Sequence, residues 1–233
     1  ESVGVQWPPD IRQAFVEQPL DHFNNTEVRT FTQKFYANNV YATPHGPNFL
    51  MIGGESPESG DWVNDENIPF MKYAKSAGAN MYVLEHRYYG DSKTGTSDLQ
   101  FLTSSQALYD IASFIEVAKT QSPSTGPWIV FGGSYSGSLA AWAREWFPEL
   151  IQGAVASSAV MDMRLDYFDY LRVVEEVMAT QGQACLDKTR EAFAHVWDLM
   201  LTPEGRQALS QQFNGILTSF AGVAQYSNDN NGL

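Results

Sequence analysis

Cysteine, histidine and clustered metal ligands are all scarce in this chain. Its 233 residues include one cysteine, Cys185, and four histidines. A structural zinc site needs grouped cysteine and histidine ligands, and a phosphate-binding loop needs Lys-Ser or Lys-Thr after its glycines. The chain has no such group, and no such pair follows Gly53-Gly54. We therefore predict no metal and no cofactor.

Basic residues and long apolar runs are also lacking. Lys and Arg number 14 against 27 Asp and Glu, which gives a formal net charge of −13. A surface of this sign repels phosphate backbones, so we expect no nucleic-acid partner. No apolar run reaches the roughly 18 residues of a transmembrane helix, so we expect no membrane span. The pI of 4.6 is compatible with an acidic or extracellular compartment.

The segment at residues 128–142 carries the clearest structural pattern in the sequence. Residues 129–131 are β-formers typical of a buried strand, and Gly132 and Gly133 permit a sharp turn. Residues 139–147 then carry a helical pattern that ends at a proline. A serine at the tip of such a strand–turn–helix is the nucleophile elbow of an α/β-hydrolase. Ser134 is therefore the predicted nucleophile.

The elbow departs from the usual Gly-x-Ser-x-Gly pattern at one position. Gly132 stands two residues before Ser134, but Ser136 stands two residues after it. We expect a small residue there because the strand and the helix approach closely. Ser136 and Ser138 are alternative nucleophiles. Both fall inside the turn or the helix, where capping of the helix is their alternative role.

The alternation of elements predicts the fold class. We expect strands at residues 30–36, 48–52, 79–84 and 153–158, and an irregular segment at residues 1–28. Helices are predicted at residues 68–76 and from a cap at Ser104 or Ser105. This order is typical of an α/β fold with a mostly parallel sheet and helices on both faces.

The candidate site residues follow the predicted strands, at the sheet edge where α/β proteins bind ligands. The N–H groups of Tyr135 and of Gly53 or Gly54 are predicted to form an oxyanion hole. Glu55 would hold a substrate terminus or, alternatively, a hydrogen bond within its own turn. Two tyrosines, Tyr88 and Tyr89, would line the pocket or pack against the sheet. Arg87 is expected to pair with a nearby acid.

The pattern changes after Ala159. Residues 162–220 read as helices without strands, and residues 226–233 as a loose tail. We predict two domains: residues 1–160, the first part of a hydrolase core, and residues 161–233, the start of an inserted helical cap.

The histidine and acid of a catalytic triad are not evident. An α/β-hydrolase places them after the serine, and the one later histidine, His195, falls off the apolar face of its helix. His86 lies near the correct sheet edge but precedes the serine. We therefore expect the base and its orienting acid to lie outside this chain, so that the chain is a fragment. Its partners would be a peptide substrate and its own missing C-terminal half, or a second copy in a homodimer.

Four segments carry a resemblance to a known family. They are Gln18-Pro19-Leu20-Asp21-His22-Phe23, Gly53-Gly54-Glu55, Glu85-His86-Arg87-Tyr88-Tyr89-Gly90-Asp91-Ser92, and Gly132-Gly133-Ser134-Tyr135-Ser136-Gly137 continued by Ala140-Ala141-Trp142. Across residues 15–160 the chain resembles the lysosomal and secreted serine peptidases that include prolyl carboxypeptidase, dipeptidyl peptidase II and thymus-specific serine protease. The segment at residues 136–139 is most similar to the thymus-specific branch.

The resemblance implies several properties of this chain. It implies an α/β-hydrolase with a helical insertion near residue 160, and a Ser-Asp-His triad of which only Ser134 lies here. It implies hydrolysis of peptides next to proline, from one terminus and at acidic pH. It also implies a secreted or lysosomal glycoprotein with disulfides, so that Asn24 of the Asn24-Asn25-Thr26 sequon would be glycosylated and Cys185 would pair outside this chain. An esterase or lipase, and a non-catalytic binding protein, remain as alternatives.

Overall fold

The computed structural model describes residues 11–209 and 212–226, which belong to two compact units. The first unit extends through Asp162, and the second begins at Met163. The first contains a six-stranded sheet with helices, whereas the described residues of the second form helices only. The assignment of these units to a hydrolase core and a cap domain stays a prediction.

The sheet of the first unit is mixed. Its strands are β1 (Ile11–Pro19), β2 (Thr30–Asn38), β3 (Asn48–Ile52), β4 (Asn80–Leu84), β5 (Trp128–Gly133) and β6 (Gly153–Ser157). Their order across the sheet is β1-β2-β4-β3-β5-β6. Strands β3 to β6 pair in parallel, while β1 and β2 are antiparallel to their neighbours. The predicted mostly parallel sheet is confirmed, with two antiparallel strands at one edge.

The prediction of an irregular segment at residues 1–28 is wrong over residues 11–19, which form β1, and confirmed over residues 20–28, while residues 1–10 lie outside the described residues. The nine residues of β1 pair with β2 from Ile11 opposite Asn38 to Pro19 opposite Thr30. The strand alternates poorly in hydropathy, since Phe15 is exposed and the polar Gln18 is buried. A polar residue on the inward face hides the period of two by which a strand is recognised.

Helices cover both faces of the sheet, as predicted. On one face α1 (Pro69–Ala77) packs against β3, β4 and β5, and on the other α2 (Ser104–Lys119) and α3 (Tyr135–Trp146) pack together. Adjacent residues of β3 lie in different apolar cores. Phe49 packs in the core on the α1 face, and Leu50 packs in the core on the face of α2 and α3. This alternation is the strand period of two, and it places apolar side chains on both faces.

The predicted starts of α2 and α3 differ from the structure, the first by one or two residues and the second by four. The side chain of Thr103, rather than Ser104 or Ser105, caps α2 by accepting the Gln106 N–H at 3.2 Å. Helix α3 begins at Tyr135, four residues before the predicted start. Ser136 and Ser138 therefore lie within this helix and do not cap it, and the Ser138 hydroxyl donates to Val160 O at 2.8 Å.

The second unit contains α4 (Asp169–Thr180), α5 (Gln183–Met200), α6 (Pro203–Leu209) and α7 (Phe213–Tyr226). The predicted helical character is confirmed, and the Thr202 hydroxyl caps α6 by accepting the Gly205 N–H. The predicted loose tail falls, beyond Tyr226, outside the described residues. In residues 11–209 and 212–226, no helix combines the length and apolar character needed to cross a membrane.

Candidate active site

The turn between β5 and α3 holds Ser134 in a conformation that few side chains adopt. Its φ of 56° and ψ of −127° lie outside the regions favoured by L-residues, so the turn is strained. The neighbouring strand holds it in place, because the Ser134 N–H donates to Ser157 O at 3.0 Å. The residue itself is exposed. The geometry is that of an elbow that presents a hydroxyl above the end of the sheet.

The glycine two residues before the serine is required by a backbone contact. A Cβ atom on Gly132 would lie 2.1 Å from Ser136 O, whereas one on Gly133 would meet nothing within 4 Å. The close approach expected at the elbow therefore occurs between the Gly132 and Ser136 backbones. The side chain of Ser136 has room because Gly54 faces it: a Cβ on Gly54 would lie 2.9 Å from Ser136 Oγ. A serine is thus tolerated where glycine is usual.

The two glycines after β3 differ as oxyanion donors. The Gly53 N–H donates to Leu84 O at 2.8 Å and continues the sheet ladder, which favours Gly54 over Gly53 as the donor to an oxyanion. The Gly54 N–H lies 3.4 Å from Glu58 Oε1, longer than a normal hydrogen bond. Tyr135 is the first residue of α3, and the first N–H groups of a helix have no partner within it. The N–H groups of Gly54 and Tyr135 are therefore candidate donors to an oxyanion, and this role stays a prediction.

A cleft of about 610 Å³ lies at the carboxyl ends of β3 and β5. Apolar and aromatic side chains form much of its wall, including Trp62, Phe70, Tyr73 and Phe131. Polar groups reach it from the elbow and from the loop after β3, including Glu55, Glu58 and Ser136. Neither Lys, Arg nor His is among the described residues that line it. The cleft thus has an apolar wall and a negative rim.

Sequence reasoning selected Glu55 and missed Glu58. The Glu55 side chain is exposed at the cleft, while Glu58 is the carboxylate that approaches the Gly54 N–H. Partial burial raises the pKa of Glu58 above its ordinary value, and nearby Glu85 adds to the rise. The one available signal was an acid four residues after Gly54, inside a loop already rich in acids and glycine.

The two tyrosines after β4 do not line the cleft. Tyr88 has a φ of 72°, and its hydroxyl donates to Asp98 O at 2.7 Å. The ring of Tyr89 lies edge-on to His86, with centroids 5.5 Å apart. These contacts favour the alternative role of the two tyrosines in packing, and their part in substrate binding stays a prediction.

A buried polar cluster, here called the anchor network, fixes the loop after β4. It consists of Gln18, Gln33, Glu85, Arg87 and Asp110. The Arg87 guanidinium is fully buried and pairs with both Asp110 carboxylate oxygens at 2.6 and 2.7 Å. Its remaining N–H groups donate to three backbone carbonyls, one in the last residue of β1 and one directly after that strand. The predicted ion pair of Arg87 is confirmed.

The rest of the anchor network joins the edge strands to the same loop. Gln18 donates to Gln33 and to Asp110 O, and Gln33 donates to Glu85 O. The buried Glu85 carboxylate accepts the backbone N–H of three loop residues and pairs with a lysine of β2 at 2.8 Å. Two of the segments that carry the family resemblance are therefore parts of one structural cluster.

The four histidines serve other contacts. His22 lies 2.7 Å from a carboxylate oxygen of Asp110, His45 contacts a threonine hydroxyl, and His86 contacts the Tyr135 hydroxyl. His195 is exposed in α5, as predicted. Within the described part of the chain, no imidazole is hydrogen-bonded to Ser134 Oγ.

The predicted modification sites are both on the surface. Asn24 lies in an exposed turn, where its side-chain oxygen accepts from the N–H and the hydroxyl of Thr26. Cys185 is exposed in α5 and has no disulfide partner among the described residues. Glycosylation at Asn24 and a disulfide at Cys185 stay predictions.

Comparison with known proteins places these features in a family. Residues 18–233 match the family described as serine carboxypeptidase S28. A Caenorhabditis elegans protein named as a serine protease is 42% identical over 211 residues, covering 88% of this chain and 39% of that protein. The thymus-specific serine protease of Mus musculus is 38% identical over 212 residues, covering 86% and 41%.

A further relative and one solved structure complete the comparison. The lysosomal Pro-X carboxypeptidase of Mus musculus is 32% identical over 209 residues, covering 84% of this chain and 42% of that protein. The chain thus spans 39–42% of the length of the curated relatives it matches. The crystal structure of a proline iminopeptidase from Mycobacterium smegmatis has a TM-score of 0.50 at 16% identity, covering 85% of this chain and 59% of that one. The predicted α/β-hydrolase fold class is confirmed.

Proposed function

Because the chain belongs to the serine carboxypeptidase S28 family, we propose that it supplies the nucleophile and the oxyanion hole of a serine peptidase. The observation that carries this proposal is Ser134, exposed at a strained strand–helix turn beside a cleft. A surface serine needs no positive φ. Strain of this kind persists where the surrounding structure and the function require it.

The chemistry follows from the groups at the elbow. Ser134 Oγ attacks the scissile carbonyl carbon and gives its proton to a base, and the carbonyl oxygen becomes an oxyanion. The N–H groups of Tyr135 and Gly54 stabilise that charge, aided by the positive N-terminus of α3. The C–N bond breaks as the base returns the proton to the leaving amine, which leaves an ester on Ser134. Water, which gives a proton to the base, then attacks the ester carbonyl; the bond to Ser134 Oγ breaks, the acyl group leaves as a carboxylic acid, and the base returns the proton to Oγ. We propose that the base and its orienting acid come from outside this chain.

We propose that the substrate is a peptide cleaved next to proline and from one terminus. The name of one relative, the lysosomal Pro-X carboxypeptidase, supports a proline preference. The aromatic wall of the cleft also suits it, since Trp62, Phe70 and Phe131 offer apolar surface to a proline ring.

The charge of the cleft favours an amino terminus over a carboxyl terminus. Glu55 and Glu58 lie on its rim, and the described lining residues include no cation to bind a free carboxylate. The Glu55 carboxylate would repel a substrate carboxylate and attract a substrate ammonium group, and Glu58 would add to this effect only at a pH above its raised pKa. Two matched proline peptides, one with only the amino end free and one with only the carboxyl end free, would separate these possibilities.

The setting of the protein is part of the proposal. A secreted or lysosomal location is supported by the name of the lysosomal relative and by the acidic pI of 4.6. The proposed partners are the peptide substrate and either the remainder of the protein or a second copy. Endoglycosidase treatment of the natural protein, followed by mass measurement of the peptide that contains Asn24, tests whether the chain enters the secretory pathway.

Turnover of proline peptides against simple esters tests the proposal. The full-length protein should hydrolyse a proline-containing peptide, and its Ser134→Ala variant should not. Hydrolysis of a short-chain ester alone would favour the alternative of an esterase or lipase. Turnover of neither substrate, with Ser134 unreactive toward a fluorophosphonate, would favour the alternative of a binding protein.

A further inference from the structure

Three side chains from three separate elements meet at the residue that follows the nucleophile. Tyr135 begins α3, His86 follows β4, and Ser104 begins α2. The Tyr135 hydroxyl oxygen lies 3.2 Å from His86 Nε2 and 3.1 Å from Ser104 Oγ. His86 is only 5% exposed. These three residues are called the Tyr135 tether below, and the chemical steps above use none of their side chains.

The directions of the hydrogen bonds follow from the partners. His86 Nδ1 lies 2.8 Å from Arg87 O, and a carbonyl oxygen can only accept, so Nδ1 carries the proton. In the neutral ring Nε2 then has a lone pair and accepts the Tyr135 O–H. Because that bond uses the tyrosine proton, the Ser104 hydroxyl must donate to the tyrosine oxygen. All three side chains therefore have assigned and mutually consistent partners.

The tether is connected to the anchor network. His86 bonds to the carbonyl of Arg87, whose fully buried guanidinium pairs with Asp110 through two short hydrogen bonds. Ser104 and Asp110 both belong to α2. The Tyr135 ring is therefore fixed against a helix and a loop that the anchor network already holds together.

We propose that His86 and Ser104 are positioning residues for Tyr135, and that through its side chain they fix the direction of its backbone N–H. The inference rests on the proposed function, in which that N–H stabilises the oxyanion. The backbone of Ser134, directly before Tyr135, has a positive φ outside the favoured regions. This strained turn does not by itself fix the orientation of Tyr135, the first residue of α3. A donor displaced by about 1 Å costs on the order of a hundredfold in rate.

The tether is suited to an acidic compartment. Burial lowers the pKa of His86 below its ordinary value, and nearby Arg87 adds to this effect. The carboxylates of Asp110 and Glu55 and the carbonyl of Arg87 oppose it, while Tyr89 and Tyr135 contribute uncharged faces. The neutral ring that accepts from Tyr135 therefore persists to lower pH than an exposed imidazole would.

The Tyr135→Phe variant of the full-length protein tests the inference, because it removes only the tethered hydroxyl. We expect kcat to fall about tenfold to a hundredfold, with KM changed less than about twofold, because the oxyanion forms only in the transition state. Affinity for a peptide boronic acid, whose adduct on serine is tetrahedral, should fall by a similar factor. The His86→Ala variant should reproduce the fall, and His86→Gln, whose amide can still accept, should recover part of it.

The Tyr41→Phe variant is the matched control. It also deletes one hydroxyl, which bonds to Glu66 at 2.8 Å away from the cleft, and it should leave kcat and boronate affinity unchanged. Unchanged kcat and boronate affinity in Tyr135→Phe would overturn the inference, even if its melting temperature fell. Absence of both turnover and Ser134 labelling in the unmodified protein would overturn the proposed function itself, and the inference with it.

Discussion

The anchor network and the cleft both lie near the carboxyl ends of the parallel strands, but their polar groups differ in where they find hydrogen-bond partners. In the anchor network, the buried charges of Arg87, Asp110 and Glu85 are paired inside the protein. At the cleft, Glu55 lines the wall and Ser134 lies between the lining residues Gly133 and Ser136. The Ser134 hydroxyl and the Glu55 carboxylate are exposed and have no protein hydrogen-bond partner among the described residues. One region is closed by its own contacts, and the other is open to a ligand.

This difference shows that residue types common in active sites can support the fold in one region and remain open to a ligand in another. The segment from Glu85 to Ser92 carries acids, a base, a histidine and two tyrosines, and all of these residue types are common in active sites. Glu85 and Arg87 serve the fold, because each is buried and paired. Only the atoms that these two side chains contact in the folded structure distinguish them from side chains that bind substrate. The predictions below separate the two regions, from the largest expected effect to the smallest.

Loss of the nucleophile should affect the cleft alone. We expect Ser134→Ala to lower peptide turnover by about 10⁴-fold or more, because every chemical step passes through that oxygen. Stability should stay close to that of the unmodified protein, since the hydroxyl is exposed. Steady-state kinetics of the full-length protein measure the effect. Ser138→Ala is the control, because that hydroxyl bonds to Val160 O, and it should retain turnover.

Loss of the buried cation should affect the anchor network first. We expect Arg87→Met to lower the free energy of unfolding by about 3–5 kcal/mol, because it leaves Asp110 buried without its main partner. Urea denaturation followed by tryptophan fluorescence measures the change. Arg29→Met is the control, because that guanidinium is exposed and pairs with Glu27 at the surface, and it should change stability little. Equal effects of the two variants would contradict the account.

Two neighbouring glycines should respond differently to the same added methyl group. We expect Gly132→Ala to cost about 3 kcal/mol and to disrupt labelling of Ser134, because its Cβ would overlap the Ser136 carbonyl oxygen. Gly133→Ala should be nearly neutral, since its Cβ meets nothing within 4 Å. Thermal unfolding of both variants checks this contrast. A neutral Gly132→Ala would show that the strand and the helix do not touch at the elbow.

The smallest effect is a change in pH dependence. The pKa of Glu58 is raised in the folded protein, so the folded state holds its proton at a pH where the unfolded chain, with an ordinary value of 4.5, has lost it. Stability from this group is therefore greatest in acid and falls as pH rises above 4.5 toward the folded pKa. We expect Glu58→Gln to remove part of that fall. Profiles of the free energy of unfolding from pH 4 to 7 that coincide for the Glu58→Gln variant and the unmodified protein would contradict this prediction.

The sequence was sufficient to predict the elements whose signal is local. The elbow serine, the buried strand at residues 48–52 and the helices on both faces follow from apolar runs and glycine, and the structure contains them. Strand β1 was missed because its inward face carries Gln18, whose partners are 15 and 92 positions away. No local pattern encodes a hydrogen bond of that kind.

The site was predictable only in part, for the same reason. Ser134 stands in a local turn, so its role could be inferred from its neighbours. The choice between Gly53 and Gly54 depends on which N–H the Leu84 carbonyl accepts, and the choice between Glu55 and Glu58 depends on which carboxylate turns back toward Gly54. Both choices are set by how a loop folds, and both candidates in each pair fit the sequence equally well.

The most direct measurement is to label the full-length protein with a fluorophosphonate and map the adduct by peptide mass spectrometry. The account predicts one adduct, on Ser134, and none in the Ser134→Ala variant. An adduct on Ser136 or Ser138, or hydrolysis of proline peptides that continues while Ser134 stays unlabelled, would contradict the claim that Ser134 is the nucleophile.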